Sequence, residues 1–101
     1  MNINVETTGG LRMVRIDGEM TIYNAFELKK GLIDCLSCEC DILIDLSQVS
    51  EIDTSGMQLL LLAEREARRL NRGLRIASHS RATRSVCELY NTAHYFEDKL
   101  A

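Results

Sequence analysis

Nothing in this sequence divides it. It has no proline, no internal repeat and no low-complexity linker among its 101 residues, so one domain spanning 1–101 is the expectation. Long apolar runs are also missing. The longest, Leu59-Leu60-Leu61-Leu62-Ala63, is five residues, against the roughly 18–20 that a membrane helix needs. No direct membrane insertion is therefore expected. A cationic excess is absent too: 12 Lys and Arg face 15 Asp and Glu, for a net charge of -3. Neutralising phosphates requires the opposite balance, which excludes a nucleic-acid binder of the usual basic kind. The first residues lack the charged start, apolar core and cleavage site of a signal peptide, and the expected location is the cytoplasm. What remains is the composition of a soluble globular domain, 46% hydrophobic and 27% charged. It is long enough to bury roughly 65% of its unfolded surface without staples.

Three of the four cysteines cluster as Cys35-x-x-Cys38-x-Cys40, and Cys87 stands apart. A reducing compartment disfavours a disulfide framework. A closed zinc site would need Cys87 or His79 as fourth ligand, because there is no second close pair. The simpler reading is small apolar residues at a helix end and strand start, with no metal and no cofactor. Charge is uneven. Residues 65–84 hold seven arginines and one acid, Glu66, whereas residues 1–64 hold eleven acids and four bases. A solvated helix face accounts for the basic block more simply than an anion-facing surface.

Residues 2–7 alternate, with Ile3 and Val5 on one side, and Gly9-Gly10 turns the chain into a second strand over 11–17 that Asp17-Gly18 stops. Asn24-Ala25-Phe26-Glu27 fits a capping box, with Tyr23 and Leu28 placed for a hydrophobic staple. Ala25, Leu28, Leu32 and Leu36 follow at helical spacing. The apolar run within residues 41–46 reads as a central strand buried on both faces, beside parallel neighbours and helical cover. Residues 47–52 read as a loop, and 57–70 as an amphipathic helix with Met57, Leu60, Leu61, Ala67 and Leu70 inward. On its wet side Glu64 and Arg68 can pair, and Gly73 is the expected left-handed cap. A strand over 74–77 and a helix capped by Ser80 and running to Tyr90 follow, with Asn91 as its end and His94-Tyr95-Phe96 as an edge strand or tail. The expected fold is α/β: a four- to five-stranded mixed sheet, an N-terminal hairpin then parallel strands, covered by three to four helices.

In such sheets function gathers where strands end and helices begin. The stretch from Asp45 to Met57 is such a place. Ser55-Gly56-Met57-Gln58 fits a capping box that engages the Ser55 hydroxyl with main-chain amides. Thr54 then lies one residue outside the helix, at the positive end of its dipole, where phosphate is tolerated. Gly56 permits close approach of another chain, and Asp53 would repel a phosphate placed on Thr54. On spacing alone an ordinary capped helix start is the simpler reading, and a phosphorylation switch is the alternative. His79 and His94 pair with neither Ser nor Cys in a recognisable way, and the carboxylates form no defined acid–base pair, so no catalytic residue is expected.

Asp45-Leu46-Ser47, then Ile52-Asp53-Thr54-Ser55-Gly56 and a leucine-rich helix, resembles the signature of the STAS family, which includes bacterial anti-sigma factor antagonists. Gly18-Glu19-Met20 resembles the family's Gly-Glu-Leu turn. Ser78-His79-Ser80-Arg81 with Val86 and Leu89 resembles its small-polar loop and third helix. The resemblance covers nearly the whole chain. It implies a non-enzymatic regulator that binds a GHKL-type serine/threonine kinase or anti-sigma factor when unphosphorylated, with a phosphatase to reset it. The phosphoacceptor would be the hydroxyl after the aspartate, Thr54. Asp53, Ser55, Gly56 and Met57 would form the docking surface, with Thr21, Tyr23, Asn24, Ser78 and His79 on the same partner face. Thr21 stands where the family often has aspartate; Thr54 stands where its antagonists usually have serine, threonine there being more like the stressosome and transporter branches. The alternative the resemblance carries is a constitutive STAS adaptor, either of a phospholipid-trafficking ABC transporter complex or of a chemotaxis-linked signalling module. Oligomeric state is left open.

Overall fold

The computed structural model describes residues 1–89, the side chains of Cys87 and Leu89 excepted. The expectations for Tyr90, Asn91 and His94 to Phe96 lie outside the described residues, as does any role of the Cys87 side chain. The elements are β1 (Asn2–Thr8), β2 (Leu11–Met20), α1 (Ala25–Cys35), β3 (Asp41–Leu46), β4 (Val49–Ile52), α2 (Thr54–Arg69), β5 (Leu74–His79) and α3 (Arg81–Leu89).

The hairpin forms as the glycines suggest. Gly9 and Gly10 both take positive φ, 55° and 81°, and β1 pairs antiparallel with β2 from Asn2–Asp17 to Thr8–Leu11. The sheet runs β1-β2-β3-β5, with β3 and β5 parallel to β2 and to each other in turn. Gly18 does not stop β2. Its φ of 102° kinks the strand, the register shifts between Gly18 and Glu19, and Glu19-Met20 continue onto a further parallel partner, β4. Residues 47–52, read above as a loop, are therefore a turn at Ser47-Gln48 followed by a strand. The Gly18 amide donates to the Gln48 carbonyl (3.1 Å) and fixes that turn against the kink.

Strand pleating puts Val14 and Ile16 of β2, Ile42, Ile44 and Leu46 of β3 and Leu74 of β5 into one core with Leu28 and Leu32 of α1 and Met57, Leu60, Ala63 and Ala67 of α2. The double-sided burial expected of β3 is not found. Leu43 and Asp45 are only half-buried and alternate with Ile42, Ile44 and Leu46. On that other face Arg15 pairs with Asp17 (2.9 Å), which also accepts from Asn4 (3.2 Å).

Two further expectations change. Glu64 is not on the wet side of α2; its side chain is 2% exposed, and Arg68 reaches in to bond it from a half-exposed position. The left-handed cap is Asn71 (φ 59°), not Gly73. Asn71 and Arg72 amides donate back to the Arg68 and Ala67 carbonyls (3.0 and 2.8 Å) as a Schellman motif requires. Gly73 instead donates its amide to Asp41 (3.0 Å), an approach close enough that a Cβ would stand 3.2 Å from that carboxylate. Part of the basic block is used locally: besides Arg68, Arg69 pairs with Glu66 (2.9 Å), and Arg72 donates to the Leu70 (2.7 Å) and Cys38 carbonyls.

Candidate functional site

Because β2, β4 and β5 run parallel, the loops after them open at the same end of the sheet. Asp53, between β4 and α2, organises this end. Its backbone is extended (φ -115°, ψ -173°) and its side chain caps α2 by accepting from the Gly56 amide (3.1 Å). The other carboxylate oxygen accepts from the Ile22 amide (3.0 Å) in the β2–α1 connection. The Asp53 amide donates to the Met20 carbonyl (3.2 Å) at the end of β2. One residue thus fastens the start of α2 to the segment entering α1.

This corrects the assignment of the cap to Ser55. A carboxylate at this position satisfies an orphan helix amide and complements the dipole as a hydroxyl would, and its second oxygen makes a tertiary bond that a hydroxyl could not. Thr54 becomes the first helical residue rather than lying outside the helix, and it is exposed; Ser55 is half-buried. Gly56 is buried, and a Cβ there would collide with the Met20 carbonyl oxygen and press on Ile52 and the Met20 side chain. Its lack of a side chain lets α2 seat on the end of β2, not a partner on α2. Met57 is 3% exposed and belongs to the core, so its side chain is not available as a docking surface.

The capping box at Asn24 is also replaced. Asn24 makes no side-chain cap; its Nδ2 donates to the Glu19 carbonyl (2.9 Å) and braces the loop across the kinked end of β2. Thr21 is buried beneath this loop. No staple forms through Tyr23, which is 93% exposed, and beside it Ile22 and Phe26 are 62% and 83% exposed. Three large apolar side chains within five residues of sequence thus face solvent where Asp53 holds the chain. Ile22 and Phe26 were not singled out in the sequence. Phe26 could have been, because it falls off the Leu28–Leu32 helical stripe and has no core to enter.

Ser78 and His79 engage other partners. Ser78 donates to Asp45 (2.7 Å), whose carboxylate also accepts from the Ser47 amide (2.8 Å). Hydrogen bonds from Ser47 and then Ser78 hold Asp45 below the usual carboxylate range. His79 contacts Thr83 through Nδ1 (3.1 Å), and burial, followed by the nearby Arg84 charge, pushes its pKa down. Ser80 starts α3 as expected: its hydroxyl accepts from the Thr83 amide (3.1 Å), while Thr83, fully buried, accepts from the Ser80 amide (2.9 Å). The structure therefore joins Asp53, Thr54, Ser55, Thr21, Tyr23 and Asn24 around one junction and places Ser78 and His79 in the β3–β5–α3 corner. Among the described residues no cluster of His, Cys, Asp or Glu could hold a metal ion, and no helix is long and apolar enough to cross a membrane.

Comparison with known proteins gives the chain a family. No curated protein matches the chain by sequence. Among solved structures, an anti-sigma factor antagonist from Mycobacterium paratuberculosis superposes with a TM-score of 0.81 at 21% identity, over 98% of this chain and 90% of that one. A putative anti-sigma factor antagonist from Thermotoga maritima also gives 0.81, at 19% identity over 91% and 80% of the two chains. The Bacillus cell fate determinant SpoIIAA in its phosphorylated form gives 0.66, at 19% identity over 88% and 83%. At these identities the likeness is one of fold. The STAS domain profile matches residues 2–101, and the chain belongs to the STAS domain family.

Proposed function

We propose that this chain, residues 1–101, is a single STAS domain working as a non-enzymatic, anti-sigma factor antagonist-like interaction module in the cytoplasm, switched by phosphorylation of Thr54. Unphosphorylated, it binds a GHKL-type serine/threonine kinase or anti-sigma factor; phosphorylated, it lets go, and a phosphatase resets it. The observation that carries this reading is the pair of hydrogen bonds that the Asp53 carboxylate accepts. It fixes an exposed hydroxyl residue at the start of a 16-residue helix and, through Ile22, ties it to an exposed apolar patch. Such a patch is a protein-contact surface, and a charge of about -1.5 to -2 added beside it resists the desolvation that contact demands. Asp53, Ser55, Tyr23, Asn24, Ile22 and Phe26 form the contact region, with Gly56 and the buried Thr21 supporting it from beneath.

The test is incubation with the cognate kinase and ATP, followed by mass spectrometry of wild type and Thr54→Ala, with partner binding measured for Thr54→Glu. Phosphate on Thr54, and loss of binding in Thr54→Glu, are expected. An active kinase that leaves Thr54 unmodified refutes the switch. Binding indifferent to Thr54→Glu turns the reading to a constitutive adaptor.

A further inference from the structure

The two edges of the sheet are finished differently. β5, at one end of the strand order, carries Arg75, and an extra residue at Ala77 shifts its register with β3. Charges and bulges of this kind keep a strand edge from pairing with another chain. β1, at the other end, has neither device. It pairs with β2 over seven residues with no shift, and it holds no proline, no lysine, no arginine and one charge, Glu6. Among the described residues no strand lies beyond it. Val5, at its centre, is 45% exposed.

The register decides which main-chain groups this edge offers. The Gly10 carbonyl accepts from the Asp41 amide (3.0 Å), and the Gly18 amide donates to Gln48 (3.1 Å). By alternation the main-chain groups of Arg12, Val14 and Ile16, between those glycines, also face β3. Those of Leu11, Met13, Arg15 and Asp17 face β1, where their opposites are Thr8, Glu6, Asn4 and Asn2. These even-numbered residues of β1 therefore bond to β2, and Ile3, Val5 and Thr7 turn their amides and carbonyls outward. The Ile3 side chain packs against Gly31 of α1, at the spot a Cβ would take, and Val5 and Thr7 follow on that helix-covered face. Asn4 and Glu6 are on the open face. Asn4 donates to Asp17 through Nδ2 (3.2 Å).

We propose that β1 is a dimerisation edge: two copies of this chain pair their first strands antiparallel, about a two-fold axis through Val5, and join their sheets into one. In that register Val5 exchanges both main-chain bonds with Val5 of the second copy, and Ile3 exchanges both with Thr7 of the second copy, so each outward group is satisfied. A slip of one residue would set them opposite groups that β2 already holds. A slip of two would carry Ile3 or Thr7 past the end of the opposing strand. The side chains agree with the backbone. Exposed Val5 meets its own equivalent across the axis, and Asn4, whose second Nδ2 hydrogen is not the one given to Asp17, stands opposite the carboxylate of Glu6 of the second copy. A two-fold contact needs one patch that complements itself, and this strand does. A seven-residue edge is small beside the roughly 20–30 residues a side of a standard interface, so the dimer forms and parts with concentration. None of the residues around Asp53 belongs to β1, and the two Asp53 junctions lie outside the contact.

Sedimentation velocity and amide exchange by NMR, on wild type across a concentration series, test this. Self-association should appear, and with it the Ile3, Val5 and Thr7 amides should exchange more slowly. The Asn4 and Glu6 amides, held by β2, should be protected at every concentration. In a mixture of labelled and unlabelled copies, Val5 methyl protons should contact Val5 of the other copy. Val5→Lys sets like charges directly opposite each other and should weaken association at least tenfold. Val5→Pro removes the central outward amide without touching the β2 ladder and should do the same, so the test stands if one variant fails to fold. A chain that stays monomeric up to about 1 mM, where even a millimolar interface is substantially filled, overturns the proposal. So does association that survives both variants, which would belong to another face such as Ile22 and Phe26. Protection of the Ile3, Val5 and Thr7 amides that does not change with dilution would mean that the chain's own residues beyond 89 cover the edge, and overturns it too.

Discussion

Asp53→Ala removes both bonds that join the start of α2 to the segment before α1, and its cost follows from what each bond does. Loss of an N-cap costs about 1 kcal/mol, within a range of roughly 0.5–2. The Ile22 amide sits in an exposed loop, so water replaces the carboxylate there, and that loss is no more than a typical net hydrogen bond, about 1 kcal/mol. The sum, about 2 kcal/mol, corresponds to a fall in Tm of roughly 8–16 °C for a domain of this size. Asp53→Asn isolates the second bond. Asparagine caps as well as aspartate, but it has one acceptor oxygen where the structure uses two. It should sit about 1 kcal/mol below wild type, between wild type and Asp53→Ala. Urea denaturation with the slope held common checks the order. A value for Asp53→Ala within about 0.5 kcal/mol of wild type, the typical span of an inconsequential surface change, would refute the claim that this residue organises the site.

Gly56→Ala should destabilise by about 2–3 kcal/mol, at the upper end for overpacking, because the colliding atom is the Met20 carbonyl oxygen, part of a paired strand that cannot move aside; the same urea assay checks it. Stability should fall on acidification in two stages. Below about pH 6.5 the unfolded chain protonates His79, while in the fold burial and then Arg84 disfavour its charged form. Below about pH 4 unfolded Asp45 takes up a proton that the Ser47 and Ser78 hydrogen bonds exclude from folded Asp45. His79→Gln should remove the first stage and Asp45→Asn the second in urea midpoints measured across pH, and an unchanged pH profile would contradict these placements. Tyr23→Ser and Phe26→Ser should leave stability within about 0.5 kcal/mol, since both side chains face solvent. Each should weaken partner binding at least tenfold, about 1.4 kcal/mol, by titration calorimetry.

The hairpin, three helices and parallel strands were legible in the sequence because each rests on a local pattern: Gly9-Gly10, the Leu28–Leu32 stripe, the Met57-Leu60-Ala67 face. What escaped it depends on contacts distant in sequence. β4 has four residues, and its two buried ones, Val49 and Ile52, are three apart, so no alternation marks it. It exists because β2 continues past Gly18, a glycine that in isolation signals a stop. β3 looked buried on both faces because Ile42-Leu43-Ile44 is unbroken, yet Asp45 in the same strand already marked the second face as polar. The cap of α2 had three eligible residues in a row, Asp53, Thr54 and Ser55. Only the distant Ile22 amide distinguishes the one whose second oxygen has somewhere to go.

That shared carboxylate also suggests how a phosphate on Thr54 would act at a distance. The phosphate would arrive next to a carboxylate whose two oxygens are already engaged, at a helix end whose amides favour anions. It can repel the partner directly, or it can compete with Asp53 for the helix amides and release the Ile22 amide, letting the apolar patch drift. The first route leaves Asp53 in place, and the second runs through it. A double-mutant cycle separates them: partner affinity is measured for Thr54→Glu, Asp53→Ala and the pair. Additive losses mean that charge alone repels the partner. On the geometry we expect the loss from Thr54→Glu to shrink once Asp53 is gone, because Asp53→Ala has already made the release that the charge would cause.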